Sequence, residues 1–259
     1  MTTIPFFQVD AFAEAPFTGN PAAVMPLERW LDDAVMQAIA AENNLAETAF
    51  TVPSGGGEAD YELRWFTPTV EVNLCGHATL AAAHVLMSGQ RIRFATRSGI
   101  LTVTREDDLL QLDMPAAPVE PADLPELTAA LGTGGETFLS REGNGNVIVL
   151  LADEAAVRAV KPDFAALRTL PYLVSITAPG GEHSVASRVF AAFHGIDEDP
   201  VTGSAHTALV PFWAKRLGRD SFTALQASER TGVLHCRLEG DRVILGGHCA
   251  TMIVGNFQL

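Results

Sequence analysis

Cys75-Gly76-His77-Ala78-Thr79 is a short polar and glycine junction that opens an apolar helix. A second junction of the same kind, Asp199-Pro200-Val201-Thr202-Gly203-Ser204-Ala205, follows about half a chain later. The first comes after the extended run Leu63–Phe66 and the short segment Val70–Leu74; the second comes after the run Ser187–Phe193. Glycine at a helix start lets backbone N–H groups turn toward a bound anion, and the helix dipole adds to the attraction. Two such junctions facing one cleft would hold a carboxylate-bearing small molecule. A small-molecule enzyme is therefore the leading reading.

Outward from the first junction, Phe6–Phe12, Ala22–Met25, Thr48–Val52, Tyr61–Phe66, Arg91–Ala95, Leu101–Arg105 and Leu109–Met114 read as strands from their apolar and β-branched content. Leu31, Val35 and Ile39 recur every fourth residue, and Asp32 and Asp33 lie in the first turn, which predicts a helix over Trp30–Asn43. Leu80–Met87 reads as an alanine-rich helix, apolar nearly all round and ended by Gly89, as befits the central helix of a small lobe. His84 on that helix reads as a packed or capped side chain.

Four prolines and several acidic residues over Met114–Pro125 suggest a linker. Beyond it, Asn146–Leu151, Tyr172–Thr177 and Val185–Phe193 read as strands, and Glu154–Val160 as a short helix. Ala205–Leu217 reads as a helix with Lys215 and Arg216 in its last turn and Gly218 after it. Val233–Leu238, Arg242–Gly246 and Thr251–Phe257 complete a strand-rich tail. Strand, junction, apolar helix and further strands thus occur twice. That order predicts an α+β fold of two similar lobes, residues 1–117 and 118–259, with the last strand a candidate to return to the N-terminal lobe.

At 259 residues and 47% hydrophobic, the chain can bury a large core. A formal net charge of -14 repels nucleic acid over most of the surface and argues against a phosphate-tracking role. The first residues carry no basic segment leading into a secretion core, and no stretch has the apolar length of a membrane span. Three cysteines, Cys75, Cys236 and Cys249, provide no disulfide framework, so the cytoplasm is the expected compartment. The glycine-rich dinucleotide fingerprint, the phosphate loop and the paired-histidine metal motif are all missing, and the seven scattered histidines recommend no metal site.

Glu47 lies just past the first predicted helix, between Leu45 and Phe50. Partly withdrawn from water, it is suited to take and return a proton near neutral pH; the rival reading is an ordinary carboxylate in a helix-to-strand turn. His77 is the acid/base or substrate-orienting candidate of the first junction, against a role in capping backbone groups. Cys75 fits either a reactive thiol at a helix N-terminus or a small buried residue. Asp199 is positioned to bind a substrate ammonium or hydroxyl or to orient the base, though Asp197 and Glu198 beside it also suit a solvated acidic loop. Thr202, Gly203 and Ser204 offer hydroxyl and backbone donors to a carboxylate, as Gly76 does in the first junction. Asn20 and Ser98-Gly99 are lesser candidates in turn-forming segments.

Taken in order, several blocks resemble the phenazine-biosynthesis PhzF-like family of the diaminopimelate epimerase-like fold. They are Gln8-Val9-Asp10-Ala11-Phe12, Gly19-Asn20-Pro21-Ala22-Ala23-Val24, Asn44-Leu45-Ala46-Glu47-Thr48, Trp65-Phe66-Thr67-Pro68, Glu71 and the two junctions. The resemblance spans nearly the whole chain. It implies two pseudo-symmetric lobes, each a curled sheet or barrel around a central helix, paired as a homodimer. It also implies a cofactor-free isomerase like the phenazine enzyme that acts on a dihydro-hydroxyanthranilate. By motif the catalytic glutamate is Glu47, and the cleft histidine and aspartate are His77 and Asp199. The neighbouring epimerases use one cysteine in each junction. Here Cys75 occupies the first, but Pro200 stands where the second thiol is expected, which disfavours two-thiol epimerisation. A racemase or epimerase using Cys75 with another base, and a silent metabolite-binding protein, remain as alternatives.

Overall fold

The computed structural model describes residues 2–140 and 145–259. The chain divides into two compact units, Met1–Asp113 with Gly246–Leu259, and Met114–Leu245. The first unit runs β1 (Thr3–Ala11), β2 (Asn20–Pro26), α1 (Asp33–Asn43), β3 (Glu47–Pro53), β4 (Tyr61–Phe66), β5 (Glu71–Val72), α2 (Gly76–Leu86), β6 (Arg91–Thr96), β7 (Gly99–Glu106) and β8 (Leu109–Pro115). β1 pairs antiparallel with β2, and β3 with β4. The two parallel pairs, β2 with β3 and β4 with β6, are the ones bridged by helices, as a crossover connection requires.

The second unit repeats this succession. It contains β9 (Val119–Ala122), α3 (Pro125–Leu131), β10 (Glu136–Ser140), β11 (Asn146–Leu150), α4 (Glu154–Ala159), α5 (Phe164–Leu167), β12 (Leu173–Pro179), β13 (Val185–Ala191), β14 (Ile196–Asp199), α6 (Gly203–Leu217), β15 (Ser221–Gln226), β16 (Gly232–Glu239) and β17 (Arg242–Gly247). Again the parallel pairs, β11 with β12 and β13 with β15, flank helices, and β12 pairs antiparallel with β13. The last strand, β18 (Cys249–Gln258), lies in the first unit, antiparallel to β1 from Thr3↔Gln258 to Ala11↔Cys249. Among the described residues no helix is long and apolar enough to cross a membrane.

The expected linker at Met114–Pro125 is structured. β9 pairs with β10 at its edge, where Pro121 withdraws no ladder hydrogen bond that a central strand would need, and Pro125 begins α3, where its missing N–H costs nothing. α1 starts at Asp33 rather than Trp30, because Asp32 takes the extended N-cap conformation and the Trp30 indole donates to Glu62 instead. Met36, Ile39 and Ala40 bury its inner face against Met25, Phe50 and Phe66, each large side chain contributing about 1.5–3 kcal/mol. α2 begins at Gly76, four residues earlier than its apolar run predicts. Its first eight residues, Gly76 to Ala83, are all buried against strands including β1, β2 and β3, so small side chains are required on every side.

Pro211 stands inside α6 and leaves the Thr207 carbonyl without its usual helical donor. The Ala117 N–H fills that place at 3.0 Å, tying the strand-to-strand segment of the second unit onto its central helix.

Candidate active site

In both units the junction is delivered by a very short edge strand, and an arginine holds that strand. Arg64 on β4 grips Glu71 of β5 through two bonds of 2.7 and 2.8 Å. Arg188 on β13 grips Glu198 of β14 through two of 2.8 Å. Such paired bonds fix direction as well as distance. They also correct the picture of Asp197-Glu198-Asp199 as a uniformly solvated acidic loop. Glu198 is paired, Asp197 meets Arg168 at the surface, and Asp199 is buried.

In the first unit, Gly19 adopts a left-handed φ of +75° beneath β1, where any Cβ would strike the Ala11 carbonyl at 2.4 Å. That turn places Asn20 opposite Ala11 as the first residue of β2. Asn44, also left-handed, ends α1, and after Leu45-Ala46 the chain enters β3 at Glu47, beside Ala22 of β2. Asn20 and Glu47 thus emerge at the same end of a parallel pair, where the first turn of α2 meets them. His77 Nε2 lies 3.0 Å from Glu47 Oε2, off the line of an ideal hydrogen bond, so the contact is chiefly ionic. His77 Nδ1 lies 3.2 Å from the Asn20 amide nitrogen and 3.6 Å from Cys75 Sγ. Cys75 is the N-cap residue, and its carbonyl accepts the Thr79 hydroxyl. Asn20, Glu47, Cys75 and His77 are all buried.

Burial pushes the Cys75 thiol up from its ordinary value and the Glu47 charge pushes it further, against the pull of His77. For His77, burial opposes the charged ring, but the Cys75 sulfur and the Glu47 carboxylate outweigh it and raise its pKa well above the usual value. Glu47, Cys75 and His77 also each offer one ligand atom within 4.8 Å of the others, a metal-capable set that sequence spacing did not disclose.

In the second unit, β14 ends at Asp199 and Thr202 is the N-cap of α6. The residue standing where Cys75 stands is therefore Thr202; Pro200 lies two positions upstream. The Thr202 hydroxyl donates to Asp199 Oδ2, and its N–H donates to Gln226 Oε1 at 2.9 Å. Gln226 Nε2 in turn reaches the Asp199 carbonyl at 2.7 Å, and Ser228 Oγ reaches the Pro200 carbonyl at 2.7 Å. Both Thr202 donors are thus engaged internally, and helix geometry leaves the first-turn amides of Gly203 and Ser204 without intrahelical acceptors. His206 Nδ1 lies 2.8 Å from the Thr202 carbonyl; full burial lowers its pKa to about 4, so the ring is neutral. Gln226, Ser228 and His206 escaped sequence reasoning. The first two lie far along the chain with no motif around them, whereas His206 sat in view, three residues past Gly203.

The predicted residues therefore form two groups: Asn20, Glu47, Cys75, Gly76 and His77 in the first unit, and Asp199, Thr202, Gly203 and Ser204 in the second. Ser98, in the turn before β7, donates to the Asn73 carbonyl at 2.8 Å and so braces the approach to Cys75. His84 contacts Thr251 at 2.9 Å, a packing role.

The family model for phenazine biosynthesis-like proteins matches residues 9–255. The chain belongs to the phenazine biosynthesis-like family. Two uncharacterized isomerases of Pseudomonas aeruginosa are 52% and 49% identical to it, each comparison covering 99% of both chains. The crystal structure of a PhzF-family phenazine biosynthesis protein from Enterococcus faecalis superposes with a TM-score of 0.93 at 45% identity over 100% of both chains. This family member is an isomerase acting on a small metabolite, and it has the α+β, curled-sheet architecture of the diaminopimelate epimerase-like fold.

Proposed function

We propose that the chain is a cofactor-independent proton-shift isomerase of a small carboxylate-bearing metabolite, with Glu47 as the base. The observation that carries this reading is the 3.0 Å approach of Glu47 to His77 in a buried setting. The His77 ring beside it aims the carboxylate. Glu47 takes a proton from a substrate carbon, the electron pair spreads into the substrate's unsaturated system, and the same proton returns at a second position. Glu47 is regenerated, and no electrons leave the substrate. His77 stabilises the carboxylate before the transfer and the developing negative charge on the substrate after it. Asn20 lies beside the ring's Nδ1, and the first-turn amides of Gly76 and its neighbours suit the substrate's carboxylate. The roles of Asp199, Thr202, Gly203 and Ser204 in orienting the substrate's polar groups belong to the same proposal and rest on the family pattern.

A racemase through Cys75 fits less well. Burial and Glu47 raise the pKa of the sulfur, and Thr202 brings no thiol to the second junction. We also read the protein as a cytoplasmic homodimer. Ile253 and Val254, exposed on β18, are the kind of surface a second copy would cover. The test is incubation of wild type and Glu47→Gln with a panel of small unsaturated carboxylates, with product structure followed by NMR. The wild type converts one class to a positional isomer and the variant falls by about 10²–10⁴-fold; equal turnover by both removes Glu47 from the reaction.

A further inference from the structure

Strand β5 consists of Glu71 and Val72, with two ladder positions opposite Phe66 and Trp65 of β4. Against a usual strand length of about 5–6 residues, so short a ladder has little grip on the direction of the chain beyond it. Asn73 and Leu74 then lead straight to Cys75, the N-cap of α2, and two residues on the His77 ring meets Glu47 at 3.0 Å. Side chains supply the grip that the ladder lacks. Arg64 Nε and Nη2 donate to the two Glu71 oxygens, and Arg97 Nη2 meets Glu71 Oε2 at 2.9 Å. Arg64 is itself anchored: its Nη1 donates to Asp33 Oδ1 at 2.8 Å, and its guanidinium lies over the Trp30 and Phe66 rings at 5.4 and 5.2 Å. We propose that Arg64 and Glu71 are positioning residues of the active site, whose forked pair sets where α2 begins and so holds Cys75 and His77 in register with Glu47.

Exposed single ion pairs contribute little to a structure. This one differs in both respects that matter. The Arg64 and Glu71 side chains are 16% and 14% exposed, so water and salt screen them weakly, and two parallel bonds define a plane as well as a distance. Lysine at position 64 keeps the charge but offers a point donor in place of the fork, which separates direction from charge. A misplacement of about 1 Å at the reacting groups costs about 100-fold in rate. That consequence rests on the proposed role of Glu47, whereas the positioning itself does not.

Arg64→Lys in the full-length protein provides the test, read without substrate. Cys75 is buried at the junction and Cys236 is buried in the second unit, so alkylation by iodoacetamide followed by mass spectrometry compares local with general opening. Cys75 modification is expected to rise at least fivefold at an unchanged Cys236 rate. The His77 titration, followed by carbon-13 NMR, is expected to fall by about half a pH unit or more as the Glu47 contact loosens. Met36→Ala opens a cavity in the α1 core of the same unit and should leave both readings at wild-type values. Circular dichroism establishes folding; should Arg64→Lys not fold, Ser98→Ala, which frees the Asn73 carbonyl from an exposed hydroxyl, is expected to raise Cys75 modification about twofold. Unchanged Cys75 modification or an unchanged His77 titration in the folded variant, or equal changes in Met36→Ala, overturns the positioning role. Loss of the Glu47 reaction in the substrate panel leaves these readings untouched, so the two proposals fail separately.

Discussion

Glu47→Gln keeps the size and shape of the side chain while removing the charge that faces His77. At 3.0 Å, opposite unit charges attract by about 5–6 kcal/mol at an effective dielectric constant of about 20. Withdrawing both groups from water offsets much of this. The His77 pKa is raised in the folded protein, so its contribution to stability is fully present below the unfolded value of about 6.5 and disappears as pH rises through the folded value. The variant loses that contribution. Its stability deficit relative to wild type should therefore be larger at pH 6 than above the pH where wild-type His77 deprotonates. Carbon-13 histidine NMR, with His77 assigned by its absence in His77→Gln, measures the shift directly, and urea melts across pH measure the linkage. A His77 titration unchanged by Glu47→Gln would refute the claim that this carboxylate holds the ring's proton.

Other consequences follow from the same geometry. Gln226→Ala removes the acceptor of the buried Thr202 N–H, and should lower stability by about 1–3 kcal/mol, read as a fall in urea midpoint at unchanged slope. Cys75 should react slowly with iodoacetamide near neutral pH, because burial and the Glu47 charge raise its pKa; Glu47→Gln removes one of the causes and should speed modification several-fold, followed by mass spectrometry. Cys75→Ser should retain isomerase turnover within about tenfold, whereas a thiol-based racemase would lose it. Gly19→Ala should cost at least about 1–3 kcal/mol, through the left-handed φ and the collision with the Ala11 carbonyl, with a matching loss of activity as Asn20 leaves its register.

Much of the first junction was legible because its chemistry is local. A glycine and a histidine open the helix, and Glu47 follows the end of α1 by a few residues. The strand Tyr61–Phe66 was readable to the residue from its apolar content. The start of α2 was not, since eight consecutive buried residues leave no amphipathic stripe to mark a first turn. The edge strands β5 and β14 escaped notice for another reason. Neither has enough β-branched residues to declare itself; each is held by an arginine seven or ten positions away. Prolines at Met114–Pro125 looked like a linker because their tolerance at a strand edge and a helix start depends on neighbours the sequence does not display. Gln226 lies 27 positions from Asp199, and only the fold brings them together.

A crystal structure with an unreactive substrate analogue bound tests the central claim most directly. The account predicts a carbon that bears the migrating hydrogen within about 3–3.5 Å of a Glu47 carboxylate oxygen, with His77 still against the other side of that carboxylate. An analogue bound with Glu47 out of reach of every such carbon, and another base in its place, would contradict it.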